Sequence, residues 1–169
     1  MSRIGPRRVR QVTGETMRLA DFLGSGQVIP DLAATTKQGV MAELVGRLPA
    51  RQPGIDRDEL CRRLLERERL GSTGIGGGVA IPHAKLPHVG PPLVVFGRSR
   101  TGIAFDSLDG RPVHLFFLLI ADEESVDLHL RLLAGISRML KNRSLRCRLL
   151  EAADSDTLYG IIEEQDNRL

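Results

Sequence analysis

Tryptophan is absent from the 169-residue chain, tyrosine occurs once, and aromatic residues together make up 4%. A nucleic-acid surface built on stacked rings would have almost nothing to stack with. Aliphatic side chains must fill the core. The two cysteines, Cys61 and Cys147, lie far apart and in no C-x-x-C pair. That excludes a disulfide scaffold and fits a reducing compartment, with both thiols expected as small core or boundary residues. A zinc site shared by them would need two histidines brought in by the fold alone. No apolar run approaches the roughly 18 residues of a membrane span, and the Arg-rich start lacks the apolar stretch of a secretory leader. The expectation is a cytoplasmic chain without membrane insertion.

What is present is ordinary for a folded domain: 41% hydrophobic and 27% charged residues, in a chain long enough for one well-buried core. Lys and Arg total 24 against 21 Asp and Glu, a net charge of +3. That excess is local, because Arg3, Arg7, Arg8 and Arg10 fall in the first ten residues with no acidic partner. Residues 1–16 therefore read as a flexible basic N-terminal arm and 17–169 as a single domain. No nucleic-acid partner is expected.

The pattern of apolar residues alternates between helix and strand along the chain. Val40, Met41, Leu44, Val45 and Leu48 follow helical spacing and predict a helix over 37–48. A second helix starts at Asp56, carries Leu60, Leu64 and Leu65 inward, and points Arg62, Arg63, Glu66, Arg67, Glu68 and Arg69 largely outward before ending at Gly71. A glycine loop over 71–78 runs into a brief strand, Val79-Ala80-Ile81, whose end presents Pro82 and His83. Leu93 to Phe96 and Val113 to Ile120 are strand-like, the second preceded by a turn at Asp109-Gly110. From Ser125 the helical period returns, with shorter helices near 144–152 and 155–163. Helices on both sides of a strand-rich middle predict an α/β fold, a layered α/β/α sandwich with a central mixed sheet.

The glycine cluster fails two familiar tests. A P-loop needs Lys and Ser/Thr after its last glycine, and a dinucleotide fingerprint needs a glycine where Val79 stands. What remains is backbone able to take positive φ and to approach a neighbouring group closely. Beside it, a histidine held by a rigid proline is placed as an exposed nucleophile, or as a structural side chain. His129 sits at the edge of a helical apolar stripe, where border packing is usual; His114 alternates out of a strand, and His88 lies in a Pro-rich loop. A tri-histidine metal site from His83, His88 and His129 lacks any supporting spacing.

The stretch from Glu66-Arg67 through Ser72-Thr73-Gly74-Ile75-Gly76 to Ala80-Ile81-Pro82-His83 resembles the motif of the fructose/mannitol-type enzyme IIA domains of the bacterial phosphoenolpyruvate-dependent phosphotransferase system. Ile103-Ala104-Phe105-Asp106, Asp109-Gly110 and His129-Leu130 extend the likeness over roughly residues 18–163. The resemblance implies that His83 is phosphorylated on a ring nitrogen, that Arg67 is a cation near the phosphoryl group, and that His129 is a second active-site histidine. It implies no cofactor and no metal. Its partners would be an HPr-like histidine phosphocarrier protein and either a sugar-specific IIB component or regulated target proteins. The absence of fused transport segments and the S-T-G-I-G form look more like the nitrogen-regulatory branch than a sugar carrier. Ala84 departs from the pattern, which often has Gly there, and the arm has no family role.

Overall fold

The computed structural model describes residues 18–49 and 54–166, so the expected arm lies outside the described residues. In chain order the elements are β1 Val28–Ile29, α1 Lys37–Gly46, α2 Arg57–Leu70, β2 Gly74–Gly76, β3 Val79–Ala80, β4 His83–Leu86, β5 Leu93–Ile103, β6 Val113–Asp122, α3 Val126–Leu140, α4 Arg143–Glu151 and α5 Ser155–Asp166. Two short 3-10 turns, Leu19–Asp21 and Ser25–Gln27, precede β1. The strongest apolar run of the sequence becomes β6, near the middle of the sheet.

The sheet order is β1-β5-β6-β3-β2, with β4 also paired to β6. β5 and β6 are antiparallel, from Leu93 opposite Ile120 to Ile103 opposite Val113. β1 runs parallel to β5, with Val28 opposite Phe96. β3 and β4 follow one another along the other side of β6, both parallel to it, with Val79 opposite Leu115 and His83 opposite Leu119. β2 folds back antiparallel on β3. The expected mixed sheet is present.

Period-two alternation along β6 sends its side chains into two separate cores. Leu115, Phe117 and Leu119 face α3, α4 and α5, whereas Phe116, Leu118 and Ile120 face α1 and α2. Edge-to-face ring pairs lie on each side, Phe96 with Phe117 at 4.9 Å and Phe105 with Phe116 at 5.4 Å between centroids. Helices thus cover both faces, as the α/β/α expectation required.

Local chemistry explains most helix starts. The Thr36 hydroxyl accepts from the Gly39 amide, the Asp56 carboxylate from the Asp58 and Glu59 amides, the Asn142 side chain from the Leu145 amide and the Asp154 carboxylate from the Thr157 amide. Ser125 precedes α3 without a side-chain cap.

Several expectations need correction. α1 stops at Gly46 rather than 48. The chain does not end a strand at His83: Pro82, which has no N–H to give, divides β3 from β4, and His83 opens the second piece. Glu68, expected outward with its charged neighbours, is buried. Cys147 is exposed, while Cys61 is half-buried.

Two long-range contacts tie the layers. Arg98 is fully buried and donates to the carbonyls of Pro30, Leu149 and Ala152, at 2.9, 2.9 and 2.6 Å, so that one guanidinium finishes the C-terminus of α4. The Asp166 carboxylate at the end of α5 accepts from the Ala20 amide at 2.8 Å.

Candidate functional site

The segment between α2 and β4 is pinned from below. The buried Glu68 carboxylate on the last turn of α2 accepts from the Thr73 amide at 3.0 Å and from the Thr73 hydroxyl. It also pairs with Lys37 of α1 at 3.2 Å, a charge that offsets its burial. Ser72 donates its hydroxyl to the Phe105 carbonyl at 2.8 Å and accepts from the Gly74 amide. The turn between β2 and β3 then uses the left-handed region at Gly77 and Gly78, with φ of 65° and 77°, which β-carbon sterics disfavour in other residues. The Thr73 carbonyl accepts from the Ile81 amide at 3.0 Å. Each step shortens the slack of the chain that delivers His83.

His83 is half-buried. Its Nδ1 lies 2.8 Å from the carbonyl oxygen of Ile81. A carbonyl oxygen can only accept, so Nδ1 carries the proton and Nε2 keeps its lone pair. Burial lowers the pKa of His83 from its ordinary value, with the Arg67 and Lys85 charges acting in the same direction and the Ile81 and Glu68 contacts opposing them. The imidazole is held neutral and nucleophilic.

His129, one turn into α3, is buried beside it, with ring centroids 5.4 Å apart and edge-to-face. Its Nδ1 is buried without a hydrogen-bond partner. Burial, followed by the charges of His83 and Lys85, pushes its pKa down from 6.5 to about 4. The apolar stripe of α3 accounts for its place at the border of the core, but not for an orphaned ring nitrogen next to a second histidine.

Both rings line a cleft of about 920 Å³ that also takes in Arg67, Lys85, Leu70 and Leu130. Sequence spacing did not separate Arg67 from its arginine neighbours. Their ion pairs do. Arg62 is engaged by Glu59 and Glu66, and Arg63 by Glu59 and Glu123. Arg67 donates only to the Gly71 carbonyl, at 3.0 Å, and has no carboxylate partner among the described residues. It is also the arginine whose charge reaches His83.

His83, His129 and Arg67 are therefore brought together, although they come from three different elements. His88, at φ 61° in an exposed turn, and His114, at the far end of β6, are not in the cleft. The tri-histidine arrangement does not form, and among the described residues no group of three His, Cys, Asp or Glu side chains is placed to hold a metal ion. Sequence reasoning missed Lys37, Glu68 and Thr73, which set the loop. A carboxylate inside a run of charged residues gave no sign that it would turn inward.

The family model described as phosphoenolpyruvate-dependent sugar phosphotransferase system, EIIA 2, matches residues 21–165. A nitrogen regulatory protein of Bradyrhizobium diazoefficiens is 35% identical over 146 residues, covering 86% of this chain and 95% of that protein. A PTS system fructose-specific EIIABC component of Bacillus subtilis is 37% identical over 150 residues, covering 89% of this chain but 24% of that protein, so the chain spans about a quarter of its length. Among solved structures, nitrogen regulatory protein IIA-Ntr from Neisseria meningitidis superposes with a TM-score of 0.79 at 29% identity, over 85% of this chain and 97% of that one. The match runs from the turn before β1 to the end of α5 and includes the whole His83 cleft: the chain belongs to the EIIA type 2 family of the phosphoenolpyruvate-dependent phosphotransferase system.

Proposed function

We propose that the chain is a phosphoryl carrier whose acceptor is Nε2 of His83, and that it acts mainly as a regulatory IIA protein of the nitrogen type. The observation that carries this reading is the 2.8 Å contact from His83 Nδ1 to the Ile81 carbonyl, which leaves Nε2 as the ring nitrogen with a lone pair. In the transfer, the P–N bond to a donor phosphohistidine breaks as the new P–N bond to Nε2 forms in line. The donor imidazole leaves with its electron pair, and His83 keeps its proton on Nδ1.

The neighbouring groups suit that step. Phosphoryl transfer needs positioning and donors for the equatorial oxygens more than covalent help. The Arg67 guanidinium, unspent on any carboxylate among the described residues, supplies charge-assisted donors. A neutral His129 has one ring N–H to give, and the phosphoryl oxygens offer it an acceptor. The donor is an HPr-like phosphocarrier acting in the cytoplasm, and the exposed Leu70 and Leu130 give it apolar surface around the nucleophile.

The regulatory role is supported by the nitrogen regulatory relative, which this chain matches over nearly its full length. The fructose-specific relative supports a second reading, in which phosphate passes on to a IIB partner during sugar uptake. Incubation with phosphoenolpyruvate, enzyme I and the phosphocarrier, followed by capture of partners on the phosphorylated and unphosphorylated forms, tests both. Regulation requires a target retained by one form only; discharge of the phosphoryl group onto a IIB protein would replace it with the transport reading.

A further inference from the structure

At the other end of β6 a second cleft carries charge that the phosphoryl-transfer reading does not use. It has a volume of about 550 Å³ and is lined by Gly77, Gly78, Arg111, His114, Arg143 and Arg146, with Pro112. No lining residue is shared with the His83 cleft. His83 stands opposite Leu119 in the sheet, whereas Gly78 accepts from the His114 amide, so the two lie roughly 17 Å apart along the strand.

Arg146 is held here, and none of the three arginines is neutralised by an ion pair among the described residues. Arg146 donates Nη1 to the Leu140 carbonyl at 2.7 Å, which fixes its head at the end of α3 and leaves its remaining N–H groups uncommitted. A β-carbon on Gly77 would stand 3.3 Å from the Arg146 Cζ, so the guanidinium rests against bare glycine backbone. Arg143 begins α4, whose N-terminal end adds partial positive charge. Neither Arg143, Arg146 nor Arg111 has an ion pair within 4.0 Å among the described residues. Asp109 is the acidic neighbour: its carboxylate accepts from the Gly77 and Arg111 amides at 3.0 and 3.1 Å, and it feels the Arg111 charge. One carboxylate, already engaged by backbone, stands beside a cleft lined by three arginines.

We propose that this cleft is a binding site for a small diphosphate-bearing anion. Three arginines lining one cleft offer the charge and the forked donor geometry that phosphate oxygens take. The volume exceeds what one orthophosphate fills and falls within the range of small-ligand pockets. A long polyanion is disfavoured because the Asp109 carboxylate, 3.0 Å from the Gly77 amide, sets a like charge beside the cleft. The occupant would bridge α4 to the same glycine turn that leads into β3.

Isothermal titration of the full chain with pyrophosphate at about 0.15 M KCl, where weak surface attraction is screened, tests the site. Saturable binding is expected, weakened roughly tenfold or more by Arg143→Ala. Arg111→Ala should act in the same direction. Both residues are exposed, so neither variant puts the core at risk. Arg67→Ala should leave pyrophosphate binding in place. Titration with ADP separates the two sources of the group: equal or tighter binding identifies a nucleotide, and loss of binding identifies free diphosphate. Absence of pyrophosphate binding at millimolar concentration overturns the proposal. So does binding that Arg67→Ala abolishes and Arg143→Ala spares, which would assign the anion to the His83 cleft.

Discussion

Glu68 and Thr73 form a closed unit across the end of α2: one buried carboxylate takes both the amide and the hydroxyl of the residue five positions on. This unit, with Lys37 as its counter-charge, fixes where the chain begins its path to His83.

Thr73→Val keeps the shape of the side chain and removes the hydroxyl, leaving a buried carboxylate one donor short. The expected loss is about 1–3 kcal/mol, read as a lower urea midpoint at unchanged slope. Glu68→Gln, which also breaks the pair with Lys37, should cost at least as much.

His83→Ala should abolish acid-labile phosphorylation by the phosphocarrier while preserving the melting temperature, because a half-exposed side chain at a strand start contributes little packing. Persistent labelling of this variant would reject Nε2 of His83 as the acceptor.

Arg67→Ala and His129→Ala should each slow transfer by about 10- to 1000-fold, or roughly 1.4–4 kcal/mol of transition-state stabilisation. Rapid-quench measurement decides the matter, and unchanged rates in both would return them to a packing role.

The pH dependence of stability follows from His129. Its pKa is depressed in the folded chain, from 6.5 to about 4, so between those values the unfolded chain binds the extra proton. Stability is then full above about pH 6.5 and falls as the solution is acidified toward pH 4, by an amount on the order of 3 kcal/mol. His83, lowered in the same direction, adds to the slope. Urea titrations from pH 7.5 to 4.5 should show His129→Leu losing much less stability on acidification than the unaltered chain.

Arg98→Leu should be among the most damaging single changes, at about 3–5 kcal/mol. It would strip the donor from the carbonyls of Pro30, Leu149 and Ala152 in a region where the guanidinium is 0% exposed. Thermal unfolding of the variant checks it.

Elements governed by local chemistry were legible in the sequence. Asp56 and Asp154 cap helices because a carboxylate at those positions satisfies amides two or three residues away. The unbroken Leu-Phe run of β6 announced a strand covered on both faces. Glu68 and Arg98 were not legible, because each belongs to a charge-rich or strand-like neighbourhood and its pairing with Lys37 or with the Leu149 carbonyl joins residues distant in sequence. The candidate site divides in the same way. Glycines leading to Pro82-His83 marked a loop from the chain alone, while His83 stayed open between a nucleophile and a structural side chain until the family resemblance was weighed. Arg67 could be told from Arg62 and Arg63 only once their carboxylate partners were located.

The bond from the Ala20 amide to the Asp166 carboxylate brings the first and last described turns of the fold to one spot on its surface. A chain that enters and leaves at the same point can be spliced into a longer polypeptide without spreading its host apart. It can equally be joined end to end and reopened elsewhere. Circular permutants opened at an exposed loop, such as the turn holding His88, would keep both cores intact, and the unit behaves as a cassette whose neighbours in a fusion attach at one side.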